Sequence, residues 1–271
     1  MWWKTKGDRK DPCFRQTAKM SWHRKEISER KQKIMKILAL DSSGLVASVA
    51  VVENDTLLAE YTVNYKKTHS QTLLPMLDEI SNMTELDLST IDAIAVAGGP
   101  GSFTGLRIGS ATAKGLGLAL EKPLISIPTT AAIAYNIWDT NKFVCPIMDA
   151  RRNQVYTGIY EFCDGKLQIL ENQMAVSVTE IAEKLNALGR EVIFLGDGVP
   201  VYRKTLAEVM KIPYSFAPAH MNRQRASAVA VLGAQYYVQG RAESAMEHKP
   251  DYLRLSQAER ERKEREEQNR A

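Results

Sequence analysis

The chain has 271 residues, 44% of them hydrophobic and 25% charged, the composition of an ordinary globular protein, which excludes wholesale disorder and fibrous repeats. Its formal net charge of +4 is unevenly placed: eleven Lys and Arg between Lys4 and Lys33 face only Asp8, Asp11, Glu26 and Glu29, so residues 1–34 carry a surplus of seven and the remainder a deficit of three. The pI near 8.8 is therefore no sign of a nucleic-acid surface on the body of the chain.

Residues 1–34 also hold Trp2, Trp3 and Trp22 with no helical or alternating period that would bury them. This stretch reads as a basic extension, expected to be disordered, either a flexible tail or the product of an upstream start. The alternative is single-stranded nucleic acid binding, with indoles stacking on bases and cations meeting phosphates. No run approaches the roughly eighteen consecutive apolar residues of a membrane span, and the extension lacks the apolar core of a signal peptide. Cys13, Cys145 and Cys163 are odd in number and lack C-x-x-C spacing, which argues against a disulfide framework or a thiolate zinc site and for a reducing, cytoplasmic setting.

From Lys36 the pattern sharpens. Lys36–Asp41, Val46–Val52 and Thr56–Val63 are β-rich runs parted by Ser42-Ser43-Gly44 and Glu53-Asn54-Asp55, which predicts an antiparallel meander of three strands. Thr68-His69-Ser70-Gln71 is a capping-box pattern opening a helix. Leu73, Leu74, Leu77 and Ile80 then recur at helical spacing, and Pro75 is expected to bend the first turns. Ile91–Ala97 reads as a buried strand, Gly98–Phe103 as a loop, 104–120 as a helix and Pro123–Ile127 as a strand, a unit that demands a right-handed parallel crossover.

A second hairpin, Phe143–Asp149 with Val155–Tyr160, echoes the first, since both open on an apolar strand that ends in an aspartate, Asp41 and Asp149. Helical signal follows at Thr179–Leu188, strand signal at Glu191–Leu195, a turn into another helix at Gly196–Pro200 and helical signal again at Ala226–Gln239. The run Ser256–Ala271 alternates acids and bases like a solvated helix or tail. The chain is thus expected to be α/β, with an extension (1–34), a first lobe (35–127) completed by a C-terminal helix, a second lobe (128–240) and a C-terminal segment with a charged tail (241–271).

Two motifs admit chemistry. Asp41-Ser42-Ser43-Gly44 at a strand end suits phosphate or magnesium, or is a turn capped by its own aspartate. The loop Gly98–Gly105 leads into a helix N-terminus and suits an anion, or is a tight connection. It is neither a P-loop, having no lysine, nor a dinucleotide fingerprint, since Thr104 stands where the third glycine belongs. The candidate phosphate or nucleotide residues are Asp41, Ser42, Gly99, Gly101 and Ser102.

Gly105, Gly109, Ala113 and Gly117 recur every four residues on the following helix, and interior glycines each cost a helix roughly 1 kcal/mol, so another backbone must pack closely there. That neighbour is either the chain's own sheet or a helix pair of a second subunit. His69 stands one turn before Leu73, which cannot ligate, so no helical metal pair forms. No Gly-x-Ser-x-Gly elbow supports a serine hydrolase.

On Met35–Ser43, Thr68–Pro75 and above all Gly98-Gly-Pro-Gly-Ser-Phe-Thr-Gly-Leu-Arg-Ile-Gly109, the chain closely resembles the TsaB (YeaZ) family. Asp149-Ala-Arg-Arg152, Val155-Tyr156 and Pro250-Asp-Tyr-Leu-Arg254 extend the resemblance over about residues 35–255. It implies an actin-like (ASKHA) fold of two ribonuclease-H-like lobes with mixed sheets. It implies, too, a noncatalytic, cytosolic paralogue of TsaD, in which Leu73 replaces the second metal-binding histidine of TsaD-like proteins.

Such a subunit pairs with TsaD through its first two helices, so that a threonylcarbamoyl group passes from its AMP ester to the tRNA adenosine beside the anticodon. A TsaE-like ATPase joins the assembly and tRNA reaches it through the complex. The chain itself needs no cofactor or metal, ATP and magnesium entering at the level of the complex, and alone it has the option of a homodimer. The interface residues implied are Leu73, Leu74, Met76, Leu77, Gly105, Ile108, Gly109, Thr112 and Ala113, and Gly109→Arg is expected to leave the monomer folded but unpaired. The rival readings are an autonomous nucleotide phosphotransferase acting through Asp41 and the Gly98–Gly105 loop, and a metallopeptidase, which Leu73 disfavours.

Overall fold

The computed structural model describes residues 34–65, 69–254 and 265. The expectations for the basic extension, for the Thr68 cap and for the charged tail lie outside the described residues. Five strands, β1 (Lys36–Asp41), β2 (Val46–Glu53), β3 (Thr56–Asn64), β4 (Ala93–Gly99) and β5 (Leu124–Pro128), form the first sheet in the order β3-β2-β1-β4-β5. The meander is antiparallel, and β4 and β5 run parallel to β1.

The second sheet repeats this succession from the opposite edge. Its strands β6 (Phe143–Asp149), β7 (Gln154–Cys163), β8 (Lys166–Ser177), β9 (Val192–Leu195) and β10 (Tyr214–Phe216) lie in the order β10-β9-β6-β7-β8. Here too the first strand has antiparallel neighbours on one side and parallel ones on the other. The echo between the two aspartate-ended hairpins thus extends to whole lobes, each a mixed α/β layer structure.

Helices α1 (Leu73–Thr84) and α2 (Phe103–Leu120) cover one face of the first sheet, and α4 (Val178–Leu188) and α5 (Val199–Val209) one face of the second. The alternation of side chains along β1 sets the layers. Leu38 and Leu40 pack with Leu73, Leu77 and Ile80 of α1, whereas Ile37 and Ala39 point into a second core shared with α3 (Thr129–Tyr135), α6 (Ala226–Val238) and, from the other sheet, Val144, Met148 and Tyr160.

Although α6 falls within the segment 128–240, it packs on the first sheet, against β1, β2, β4 and β5. Its residues Ala226, Val229, Ala230 and Leu232 are buried on several sides, as a helix without a polar face must be. A Cβ at Gly233 would come within 2.6 Å of the Ala95 Cβ, so helix and sheet approach closely.

The α-helix itself begins later than the Thr68–Gln71 pattern suggested. His69–Gln71 form a 3-10 turn, and the α-helix begins at Leu73. Pro75 therefore stands in the first turn, where a backbone N–H has no helical acceptor, so it removes no bond of the helix.

Glu60 on β3 ties the sheet edge to α6. It accepts hydrogen bonds from Arg225, from the Ser227 amide at 3.0 Å and from the Ser227 hydroxyl at 2.7 Å. Burial pushes its carboxyl up, but the bonds from Arg225 and Ser227 outweigh burial and hold it below its ordinary value of 4.5. A depressed carboxyl contributes stability above its unfolded pKa and loses it as pH falls through the folded one. We expect Glu60→Gln to cost about 2 kcal/mol near neutrality and to flatten the acid limb of the stability curve. Urea denaturation between pH 3 and 7 reads both.

Candidate functional site

The turn after β1 is closed by its own aspartate. Asp41 is fully buried, and its Oδ1 accepts from the Ser43 amide at 2.9 Å and the Ser43 hydroxyl at 2.6 Å. Its Oδ2 has no partner. Burial pushes the carboxyl up to about 6, against the lowering effect of the Ser43 bonds and of nearby His69. His69 places Nε2 2.9 Å from the Gly44 carbonyl oxygen and leaves a buried Nδ1 unpartnered. The Gln224 Nε2, also buried and unpartnered, lies 2.4 Å from where a Cβ at Gly44 would stand.

The glycine loop folds down onto this turn. Gly99 has φ 126°, and a Cβ there would meet the Asp251 carbonyl oxygen at 2.2 Å. Cβ atoms at Gly101 and Gly105 would meet the carbonyl oxygens of Ser43 at 2.2 Å and Ser42 at 2.0 Å. Only glycine admits such neighbours.

The polar groups of the two loops engage each other. The Ser102 amide donates to the Ser43 oxygen at 2.7 Å, the Ser42 hydroxyl donates to the Gly105 oxygen at 2.8 Å, and the Ser102 hydroxyl caps α2 by accepting from the Gly105 amide. An anion nest needs amides aimed at a shared point. The structure does bring Asp41, Ser42, Gly99, Gly101 and Ser102 together, but as a loop packed on a turn, with the Ser102 amide already engaged.

The glycine stripe of α2 faces inward. A Cβ at Gly109 would lie 2.4 Å from the Ser42 Oγ, one at Gly117 would touch Leu124, Lys122 and Ala245, and Ala113 is completely buried. The close neighbour is therefore the chain's own β1–β2 turn and sheet. Leu73, Met76 and Leu77 are likewise at most 4% exposed. Of the nine residues named for a partner, Leu73, Met76, Leu77, Gly105, Gly109 and Ala113 are interior, while Leu74 is exposed and Ile108 and Thr112 are half-buried.

The geometry speaks against one expectation: at Gly109 a side chain would start 2.4 Å from the Ser42 Oγ on a buried face, so an arginine there is expected to disturb the monomer itself. The outward face of α2 consists instead of Thr104, Arg107, Ala111, Gly115 and Leu118. No atom lies within 4 Å of a Cβ built at Gly115. Their three- and four-residue spacing was legible; which of two parallel stripes faces out was not.

A strap formed by Pro250–Arg254 joins the lobes. The Asp251 amide donates to the Gly98 oxygen at 2.7 Å, and its carboxylate accepts from Gln173 on β8 at 2.7 Å. Tyr252 lies against Phe103, ring centres 4.6 Å apart. Arg254 donates to the Ala150 oxygen at 2.7 Å.

Asp149, the counterpart of Asp41, is exposed, and its Oδ1 accepts from the Arg151 amide and from the Tyr202 hydroxyl. Among the described residues no three His, Cys, Asp or Glu gather as a metal-ligand set, and no helix is long and apolar enough to cross a membrane.

Comparison with known proteins places these features in context. A family profile described as TsaD, tRNA N6-adenosine threonylcarbamoyltransferase, matches residues 56–262. A Bacillus subtilis (strain 168) protein described as tRNA threonylcarbamoyladenosine biosynthesis protein TsaB is 34% identical over 227 residues, spanning 83% of this chain and 96% of the relative. The Escherichia coli (strain K12) protein of the same description is 31% identical over 226 residues, 81% and 95% of the two chains. The solved structure of YeaZ from Pseudomonas aeruginosa superposes with a TM-score of 0.70 at 27% identity, covering 81% of this chain and all of the other.

Proposed function

Because the chain belongs to the TsaB (YeaZ) family of tRNA threonylcarbamoyladenosine biosynthesis proteins, with their two-lobed actin-like fold, we propose that it acts there as a noncatalytic subunit. It pairs with a TsaD-like enzyme that moves threonylcarbamoyl from its AMP ester to the tRNA adenosine beside the anticodon. The observation that carries this reading is the closed glycine loop, in which the Ser102 amide and Ser42 hydroxyl bond within the chain. A phosphate would have to displace these bonds.

The pairing surface is the outer face of the first two helices: Leu74 on α1, with Ile108, Ala111, Thr112 and Gly115 on α2. Gly115 exposes helix backbone where a partner helix needs close approach. Burying that face in a four-helix bundle biases the enzyme towards its active shape, and a few kcal/mol suffice for that. The chain needs no cofactor of its own, and ATP with magnesium enters with a TsaE-like ATPase. The tRNA reaches the complex in the cytoplasm, and the same face closes a homodimer when the chain is alone.

The test is threonylcarbamoyl transfer to unmodified tRNA by the purified partner enzymes, with and without this chain. We expect transfer to require it, and an unchanged rate on omission would refute the proposal. Gly115→Arg should leave the melting temperature of the isolated chain within a few degrees while abolishing co-elution with the TsaD-like enzyme. The phosphotransferase reading draws on one observation, the unpartnered Oδ2 of Asp41, and tight magnesium-dependent ATP binding by the isolated chain would favour it.

A further inference from the structure

Where the two lobes meet, the strap assembles cations from three parts of the sequence. Arg107 on α2 lies over the Phe103 ring, 4.1 Å from its centre, and the other neighbour of that ring is Tyr252. Two residues on, Arg254 reaches the oxygen of Ala150, and Arg151 and Arg152 follow at once, exposed at the tip of the β6–β7 hairpin. Among the described residues, ion pairs engage Arg190 with Glu161 and Arg225 with Glu60. None engages Arg107, Arg151, Arg152 or Arg254. The nearby carboxylates bond to neutral donors, Asp149 to the Arg151 amide and Tyr202 and Asp251 to Gln173, and are outnumbered by the four arginines.

The hairpin tip is also strained. Arg151, Arg152 and Asn153 have φ of 61°, 56° and 58°, three consecutive residues in the left-handed region. For residues other than glycine each such step costs on the order of 1 kcal/mol, and strain of this kind persists where it positions side chains for use. On a body whose net charge is negative, four guanidinium groups without ion pairs, set against the two carboxylates of Asp149 and Asp251, make the surroundings of this aromatic pair locally electropositive. Guanidinium forks meet phosphate oxygens two at a time, and a partly open tyrosine ring, 38% exposed here, offers a face to an unstacked base.

We propose that Arg107, Tyr252, Arg254, Arg151 and Arg152 form a contact surface for the phosphate backbone of RNA, touching the tRNA directly when the complex acts on it. The inference rests on the tRNA-modification role proposed above. Net charge was silent on such a surface. That sum averages away a local cluster.

The test measures binding of the full chain to an unmodified tRNA transcript by fluorescence anisotropy, from about 50 to 200 mM salt. Arg151→Glu with Arg152→Glu is compared with Lys166→Glu and Lys211→Glu, an equal charge change away from the track. Lys166 lies at the far end of β7 from the hairpin tip, and Lys211 follows the C-terminus of α5. The expected result is a Kd raised at least about tenfold by the arginine pair, with the salt slope reduced by about one for each phosphate no longer neutralised, and little change from the lysine pair.

Equal weakening by both pairs, no weakening by the arginine pair, or no binding by the unaltered chain would each overturn the proposal. Circular dichroism on both double variants confirms that they remain folded. Transfer that still requires the chain, with RNA binding indifferent to the arginines, would leave the subunit role standing and remove only the contact surface.

Discussion

Replacing Gly105 with alanine is expected to destabilise the chain by more than about 3 kcal/mol, although alanine is the better helix former by roughly 1 kcal/mol. The new methyl would lie 2.0 Å from the Ser42 carbonyl oxygen and 3.3 Å from the Ser102 Cβ. A flexible side chain at that distance would swing aside, but the Ser42 oxygen is backbone, held between β1 and the Asp41–Ser43 hydrogen bonds. Relief requires α2 to shift off the sheet, which also breaks the Ser42 hydroxyl bond to the Gly105 oxygen and opens the packing of Ala113 in its core. Gly115→Ala, ten residues along the same helix, meets nothing and should stabilise the chain by about 0.5–1 kcal/mol. Urea titration of the two variants side by side reads the difference, and equal effects would show that α2 does not sit on the turn as described.

Asp41→Asn is expected to behave in the opposite sense, raising stability at pH 8 by about 2–3 kcal/mol. The carboxyl has a folded pKa of about 6 against an ordinary value of 3.8, and each pH unit of that gap is worth about 1.4 kcal/mol. With the folded value raised, the folded chain binds the proton more tightly. The contribution to stability is complete below the unfolded pKa and lost as pH rises through the folded one. Asparagine keeps the Oδ1 acceptor for both Ser43 bonds and replaces only the unpartnered Oδ2. Its advantage should therefore appear at pH 8, shrink between pH 6 and 4 and vanish below about pH 4. A variant less stable at pH 8 would mean that the ionised carboxylate has a counter-charge, such as a cation, and would revive the phosphotransferase reading.

The first lobe was largely legible, because β1, β2 and β4 are short apolar runs bounded by turn formers and α2 follows its loop directly. β8 escaped because Glu171, Asn172 and Gln173 interrupt it in mid-strand. It lies at the edge of its sheet, where one flank faces solvent and the alternation blurs. The three residues of β10 are too few to show a period, and α3 reads Thr-Thr-Ala-Ala-Ile-Ala-Tyr, seven residues with no polar face because six of them are buried.

At the candidate site the residue set was legible and its sense was not. Spacing placed Gly105, Gly109 and Ala113 on one face of α2, but the inward direction of that face depends on the crossover and on the height at which the β1–β2 turn meets the helix. The arginine track was beyond reach for a related reason. Arg107, Arg152 and Arg254 are far apart in sequence, and only the strap through Asp251 and Tyr252 brings them together.

The two helices between the sheets bear on how this protein can be taken apart. α3 leaves the first sheet and reaches β6 and β7 of the second, while α6 leaves the second and covers β1, β2, β4 and β5 of the first. The first lobe thus wears a covering, α6, that its own stretch of chain does not supply, while α3 follows β5 and touches both sheets. Cut after β5, the leading fragment would expose Ile37, Ala39 and Ala95 where α6 belongs, and the trailing fragment would carry α6 with nothing to clothe. The halves are interlocked rather than modular, and the pieces would be expected to act only when supplied together.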